Sequence, residues 1–82
     1  MNKDKTKHEI KILPQYYEAV SKGNKRFELR KDDRDYQVGD IIKLREWDGK
    51  EYTGYEMITG IRYVLKDCPE YGLMKGYCIF GW

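Results

Sequence analysis

Between Gly23 and Asp40 a helix stop, an alternating strand, a dense set of ionised side chains and a glycine turn follow one another without a gap. No other stretch constrains the fold as tightly. Just before it, Pro14 suits the first turn of a helix, where a missing N–H costs nothing. Leu13, Tyr16, Tyr17 and Val20 then recur at three- and four-residue spacing, with Gln15, Glu18, Ser21 and Lys22 on the opposite side. Gly23 follows Lys22 as a left-handed C-terminal cap, with the lysine at the negative end of the helix dipole. The spacing therefore predicts one short amphipathic helix, from Pro14 to Lys22, followed at once by a strand from Lys25 to Arg30.

In that strand, strict alternation puts Phe27 and Leu29 on one face and Arg26, Glu28 and Arg30 on the other. Three ionised groups then share an exposed face. The same alternation sends Lys25 and Glu28 to opposite faces, unless a bulge intervenes or the strand begins after Lys25. The charge is unevenly distributed: Lys22, Lys25, Arg26, Arg30 and Lys31 surround the single Glu28, and Asp32, Asp33 and Asp35 then surround Arg34. A basic corner runs into an acidic loop.

The remaining segments read as short strands. His8 to Ile12 alternates, with Ile10 and Ile12 inward. Lys31 to Gln37 is a loop, Val38 to Asp40 a turn, and Ile41 to Trp47 a strand with Ile42 and Leu44 inward. Asp48-Gly49 is the signal for a two-residue hairpin turn. Tyr55 to Leu65 is the longest β-like run, and Gly60 in its middle marks a bulge or bend that curls a small sheet toward a barrel. Lys66 to Gly72 is a loop, and Gly76 to Trp82 is a final strand. Met1 to Lys7 has no apolar run and reads as a frayed tail, neither signal peptide nor anchor, so the domain is expected over residues 8–82.

A chain of 82 residues makes one domain and buries only roughly 60% of the surface its unfolded form exposes, so its core is thin. Eight tyrosines and eight glycines suit a β-rich fold with tight turns. The net charge of +2 is too small to mark a nucleic-acid binder by itself; any anion site must come from local asymmetry. With only Cys68, Cys78 and His8 and no C-x-x-C or His/Cys cluster, neither a structural zinc site nor any other metal or cofactor is expected. The cysteines read as two buried or half-buried thiols of a cytoplasmic protein rather than as a disulfide. Phosphate-binding loops, dinucleotide fingerprints and hydrolase elbows are absent.

Two chemistries survive. One is a phosphate-binding groove built from Lys22, Lys25, Arg26, Arg30 and Lys31 beside aromatic stacking surfaces. The other is general acid/base work by Lys25 and Glu28, assisted by Arg30. Against both stands the plain reading of a solvated, ion-paired strand face, with the tyrosines in the core or at its rim and His8 as a hydrogen-bonded strand residue.

The pattern G-x-K-x-x-E-x-R at Gly23, Lys25, Glu28 and Arg30, followed by V-G-D at Val38 to Asp40 and a hydrophobic strand, resembles the ASCH domain of the PUA-like superfamily. The order H-E-I-K-I, P-Q-Y-Y-E-A-V, K-R-F-E-L-R-K-D-D-R-D-Y-Q-V-G-D and Y-G-L-M-K-G-Y resembles a small bacterial and phage branch of it, from His8 nearly to the end. The resemblance implies an α+β fold, a small pseudo-barrel of about five or six mainly antiparallel strands with one principal helix beside a cleft, and a role in binding RNA or a nucleotide. Some ASCH proteins are amidohydrolases acting on an acylated cytidine through a lysine, a threonine and a glutamate. Lys25 matches that lysine, but Glu28 stands where the threonine is expected, and Thr53 and Thr59 lie in other strands.

On the RNA or nucleotide reading, Lys22, Lys25 and Arg26 contact phosphate. Arg30 and Arg34 do the same or organise the site through Glu28 and Asp32, Tyr36 or Trp47 stacks a base, and His8 lines the cleft. On the enzyme reading Lys25 and Glu28 are the working pair. A third class, a protein-interaction module, predicts a large exposed apolar patch away from the basic corner. No membrane partner is expected.

Overall fold

In a computed structural model, residues 5–82 are described; Met1 to Asp4, most of the expected tail, lie outside them. The described residues form an α+β domain of six strands and one α-helix in the order β1 (Thr6–Ile12), α1 (Pro14–Ser21), β2 (Phe27–Lys31), β3 (Ile41–Trp47), β4 (Tyr52–Gly60), β5 (Tyr63–Leu65) and β6 (Tyr77–Gly81). A single 3-10 turn at Pro69–Tyr71 precedes β6. Thr6 and Lys7, expected in the tail, belong to β1, because Thr6 pairs with Ile41 at the start of β3 and Lys7 spans the register shift before His8.

The strands divide into two three-stranded sheets, β1-β3-β4 and β2-β6-β5. Only β1 and β3 run parallel; the other pairs are antiparallel. Among the described residues no strand pairing joins the sheets into a closed barrel. The sheets meet face to face through Ile10, Ile12, Ile42 and Leu44 of the first, Cys78 and Phe80 of the second, and Tyr36 and Ile61 between them. The strand phase follows from this: alternate residues of β1, β3 and β6 point into one shared core.

Helix α1 ends as its sequence requires. Gly23, at φ +78°, donates to the Val20 carbonyl at 2.9 Å, and Asn24 donates to Ala19 at 2.9 Å. These two bonds make a Schellman cap, whose left-handed residue is best supplied by glycine. Lys25 N–H also donates to the Ala19 carbonyl at 3.0 Å, so the helix end holds Lys25 off the strand. As a result β2 begins at Phe27 rather than at Lys25.

Two turns depart from expectation. Trp47 pairs with Tyr52, so the β3–β4 connection is a longer loop over residues 48–51, not a two-residue turn. The Asp48 carboxylate accepts from the Lys50 and Glu51 amides at 2.9 and 3.0 Å, and these bonds pull its carboxyl below the ordinary aspartate range. The Tyr55–Leu65 run is split: β4 stops at Gly60, Ile61 plugs the core, and the chain enters the second sheet as β5. Gly60 thus marks a change of sheet. The Ile61 amide donates to Asp40 O and its carbonyl accepts from Gly39, which anchors the crossover on the Val38–Asp40 turn.

Candidate ligand-binding cleft

The faces of β2 are reversed from the simple alternation argument. Glu28 pairs with Phe80 and Arg30 with Cys78, so both point to the core side, and Glu28 is 5% exposed. Phe27 and Leu29 face out, 48% and 55% exposed. The phase of β2 is set by its neighbour: β6 must bury Cys78 and Phe80, and paired residues share a face. The expected exposed charged face is therefore partly an interior one.

Glu28 is held by two cations. One carboxylate oxygen accepts from Lys25 Nζ, and the other from Arg30 Nε at 2.8 Å. Lys25 also donates to the Phe27 carbonyl at 2.6 Å and lies over the rings of Phe27 and Tyr16. Arg30 extends through Nη2 to the Lys11 carbonyl at 2.5 Å, tying the second sheet to the end of β1. The start of β2 beyond Lys25 is what brings Lys25 and Glu28 together.

This triad sits in a cleft of about 610 Å³ between β2, the β1–α1 junction and the end of β3. Ile12, Leu13, Tyr16, Phe27, Leu29 and Trp47 supply apolar and aromatic walls, and Lys11, Lys25, Glu28 and Arg30 supply charge, three cations to one carboxylate. Size, apolar walls and a few convergent polar groups are the usual attributes of a small-ligand site. The basic corner is concave at Lys25 and Arg30.

Of the residues singled out from sequence, Lys25, Glu28, Arg30 and Trp47 line the cleft. Lys22 does not; it is exposed on the helix and pairs with Glu18 at 2.9 Å. Arg26 lies at the far side of the strand start, its Nε 3.3 Å from the Trp82 carbonyl. Arg34 donates to the Glu9 carbonyl at 2.7 Å and fastens the 32–40 loop to β1. Tyr36 is a core residue, 3% exposed, with its ring 4.6 Å from His8 and 4.5 Å from Phe80. It has no free face for a base, and burial, outweighing the Arg34 and Arg30 charges, pushes its hydroxyl pKa up.

His8 is likewise interior. Its Nε2 lies 2.9 Å from Asp40 Oδ2, which also accepts from the Gln37 amide at 3.0 Å. Burial would raise the Asp40 pKa, but the His8 hydrogen bond and the Gln37 amide together outweigh it and bring the pKa below the ordinary value. His8 thus pins the turn before β3. Lys11, Tyr16, Phe27 and Leu29 were not among the sequence candidates for the site. Tyr16 belongs to the apolar helix stripe, and the others carry no local signal of a cleft, because it forms only where two sheets diverge.

The enzyme pair is in contact, but neither Thr53 nor Thr59 lies beside it. Thr53 donates to Glu46 at 2.7 Å, and Thr59 pairs with Ile42 in the first sheet. The two cysteines are free and buried, with no disulfide between them. No group of His, Cys, Asp and Glu among the described residues is arranged to hold a metal. Among the described residues no helix is long and apolar enough to cross a membrane.

A protein of Escherichia phage P2, named as an uncharacterized 12.9 kDa protein in the GpA 3′ region, is 45% identical over 47 residues. The match covers 57% of this chain and 43% of the phage protein, so this chain spans less than half the length of that relative. Over residues 7–82, which include every strand from β2 onward and all the cleft residues, the sequence matches the family described as Domain of unknown function (DUF3850), and the chain belongs to that family.

Proposed function

We propose that the cleft binds RNA or a nucleotide, with one base between its aromatic walls and a phosphate on its cations. The observation that carries this reading is the placement of Lys25 and Arg30 on a buried Glu28 at the base of an aromatic-walled cleft. Glu28 fixes the direction of both cations without neutralising the cleft, since Lys11 adds a third. Trp47 is the stacking surface, and Tyr16 and Phe27 line the same cleft. The helix beside a cleft between small sheets supports kinship with the PUA-like pseudo-barrels, and the two free buried thiols support a reducing, cytoplasmic setting.

The test is a fluorescence-anisotropy titration of single-stranded RNA and of nucleoside monophosphates at two salt concentrations. Lys25→Ala with Arg30→Ala is compared against Lys22→Ala with Arg26→Ala. The first pair is expected to lose affinity and to lower the salt slope by about 0.7 per lost phosphate contact on a single strand. The second is expected to behave like wild type. Equal behaviour of the two pairs, or no binding at low salt, removes the cleft assignment.

A second reading has its own observation. The outer face of the second sheet carries Phe27, Leu29, Tyr63 and Leu65, all exposed, in adjacent rows set by the β2-β6-β5 register. Contiguous apolar surface of this kind marks protein interfaces. It adjoins the basic corner instead of lying away from it. On this reading association survives ribonuclease and is lost on Tyr63→Lys, a change on the outer face and outside the cleft; loss on ribonuclease treatment returns the assignment to the cleft.

A further inference from the structure

The solvent face of the first sheet is ordered in rows that begin inside the cleft. Strand register aligns Glu9 with Lys43 and Ile58, Lys11 with Arg45 and Glu56, and Trp47 with Tyr52. Lys11 Nζ stands 4.5 Å from the Trp47 ring centroid, and Arg45 Cζ stands 3.7 Å from that of Tyr52. The Arg45 guanidinium is steadied from both sides, by Glu9 at 3.3 Å and Glu56 at 3.6 Å. Lys11 and Trp47 are shared with the cleft, whereas Arg45 and Tyr52 are outside it.

Arg45, whose steadied guanidinium covers Tyr52, and Trp47, whose indole lies beside Lys11, are two residues apart along β3, and Tyr52 stands across from Trp47 on β4. The Cα step from Arg45 to Trp47 is about 6.8 Å, so both surfaces are within reach of successive nucleotides of one strand. Base stacking on aromatic or guanidinium planes, with cations following the backbone, is the chemistry of sequence-tolerant single-strand binding. A free nucleotide would use the cleft and leave these groups idle.

We propose that Arg45 and Tyr52, continuing from Lys11 and Trp47, form a second nucleotide subsite, so that the ligand is a single-stranded nucleic acid and not a free nucleotide. This rests on the cleft reading and adds direction to it: the strand enters at Lys25 and Arg30 and runs over Trp47 onto Tyr52. Lys11, Lys43 and Arg45 face Glu9 and Glu56 on this surface, so stacking rather than charge supplies most of its affinity.

The experiment is isothermal titration of uridine 5′-monophosphate and of tri-uridylate into wild type, Tyr52→Leu, Tyr52→Phe and Arg45→Gln. Tri-uridylate is expected to bind at least about tenfold more tightly than the monophosphate, the scale of one added base stack. Tyr52→Leu and Arg45→Gln should each remove most of that gain with monophosphate binding unchanged, and Tyr52→Phe should retain it. Equal affinity for the two ligands, or a gain that survives both Tyr52→Leu and Arg45→Gln, overturns the second subsite and leaves the cleft reading standing. Failure of both ligands to bind wild type overturns the cleft reading and this inference together. A variant that loses monophosphate binding is checked by its thermal melt, and a folded variant with that loss counts against the subsite being separate.

Discussion

Replacing Glu28 by Gln tests whether the triad is a desolvated charge cluster or a solvated surface pair. Glu28 has 7% side-chain exposure, Lys25 17% and Arg30 32%, so the carboxylate and the ammonium are largely removed from water. Gln keeps the shape and one acceptor but leaves two cations facing each other without a counter-charge. Breaking a buried pair from one side costs about 3 to 5 kcal/mol; the partial exposure of Arg30 places the expected loss near about 3 kcal/mol. For a domain this small each kcal/mol shifts Tm by roughly 4 to 8 °C, so Tm should fall by at least about 12 °C. Differential scanning calorimetry and urea unfolding measure it. A triple replacement, Lys25→Met, Glu28→Leu and Arg30→Met, should recover most of the loss, because well-packed apolar groups substitute for buried ion pairs at little net cost. A loss under about 1 kcal/mol for Glu28→Gln, or a triple variant less stable than the single one, would refute the reasoning.

Asp40→Asn removes the carboxylate that accepts from His8 and Gln37. Its pKa is depressed in the fold, so its contribution is present above the unfolded aspartate pKa and lost as pH falls through the folded value. The variant should be less stable than wild type at pH 7 by about 1.5 to 3 kcal/mol, with the difference shrinking below about pH 4; urea midpoints across pH 3 to 7 check it. Phe80→Ala, at a fully buried residue touching Tyr36, should cost about 3 to 5 kcal/mol, read by the same unfolding curves. Gly23→Ala meets no atom within 4 Å but must hold φ +78°, so about 1 kcal/mol should be lost from backbone strain alone. Cys78 is fully buried, and burial raises its thiol pKa; it should label with a thiol reagent only at the rate of unfolding, as mass spectrometry over time would record.

The helix, its glycine cap, strands β1 and β3 and the terminal strand were legible because each is specified locally: Pro14, Gly23 and the alternation of Ile10, Ile12, Ile42 and Leu44 act within a few residues of themselves. The phase of β2 was not. Phe27 and Leu29 alternate with Glu28 and Arg30 in a way that either face could satisfy, and the choice is made by Cys78 and Phe80, about fifty residues away in sequence. The same nonlocality hid the cleft, which exists only where the β2 edge stands apart from Ile12, Leu13 and Trp47. Tyr36 and His8 read as site candidates because a polar atom on an aromatic ring looks alike in a cleft and in a core. Their mutual packing and the Asp40 acceptor distinguish the two, and neither is visible in spacing.

The reversal of β2 bears on function more than its legibility does. A thin core has few inward positions, and placing Glu28 and Arg30 on the core side while Phe27 and Leu29 face solvent is costly on both faces. Desolvating the carboxylate disfavours folding, and so does leaving about half of two large apolar side chains in water. Exchanging the pattern, with Phe and Leu inward and the charges outward, would serve stability better and would also close the cleft. Local rules broken in opposite directions at adjacent positions are expected where a site is maintained against the preferences of the fold. A phase-swapped variant, Phe27→Glu, Glu28→Phe, Leu29→Arg and Arg30→Leu, should therefore gain stability if the core accepts the new volume, and the proposed cleft reading requires that it lose nucleotide binding. Retained binding would remove the cleft assignment.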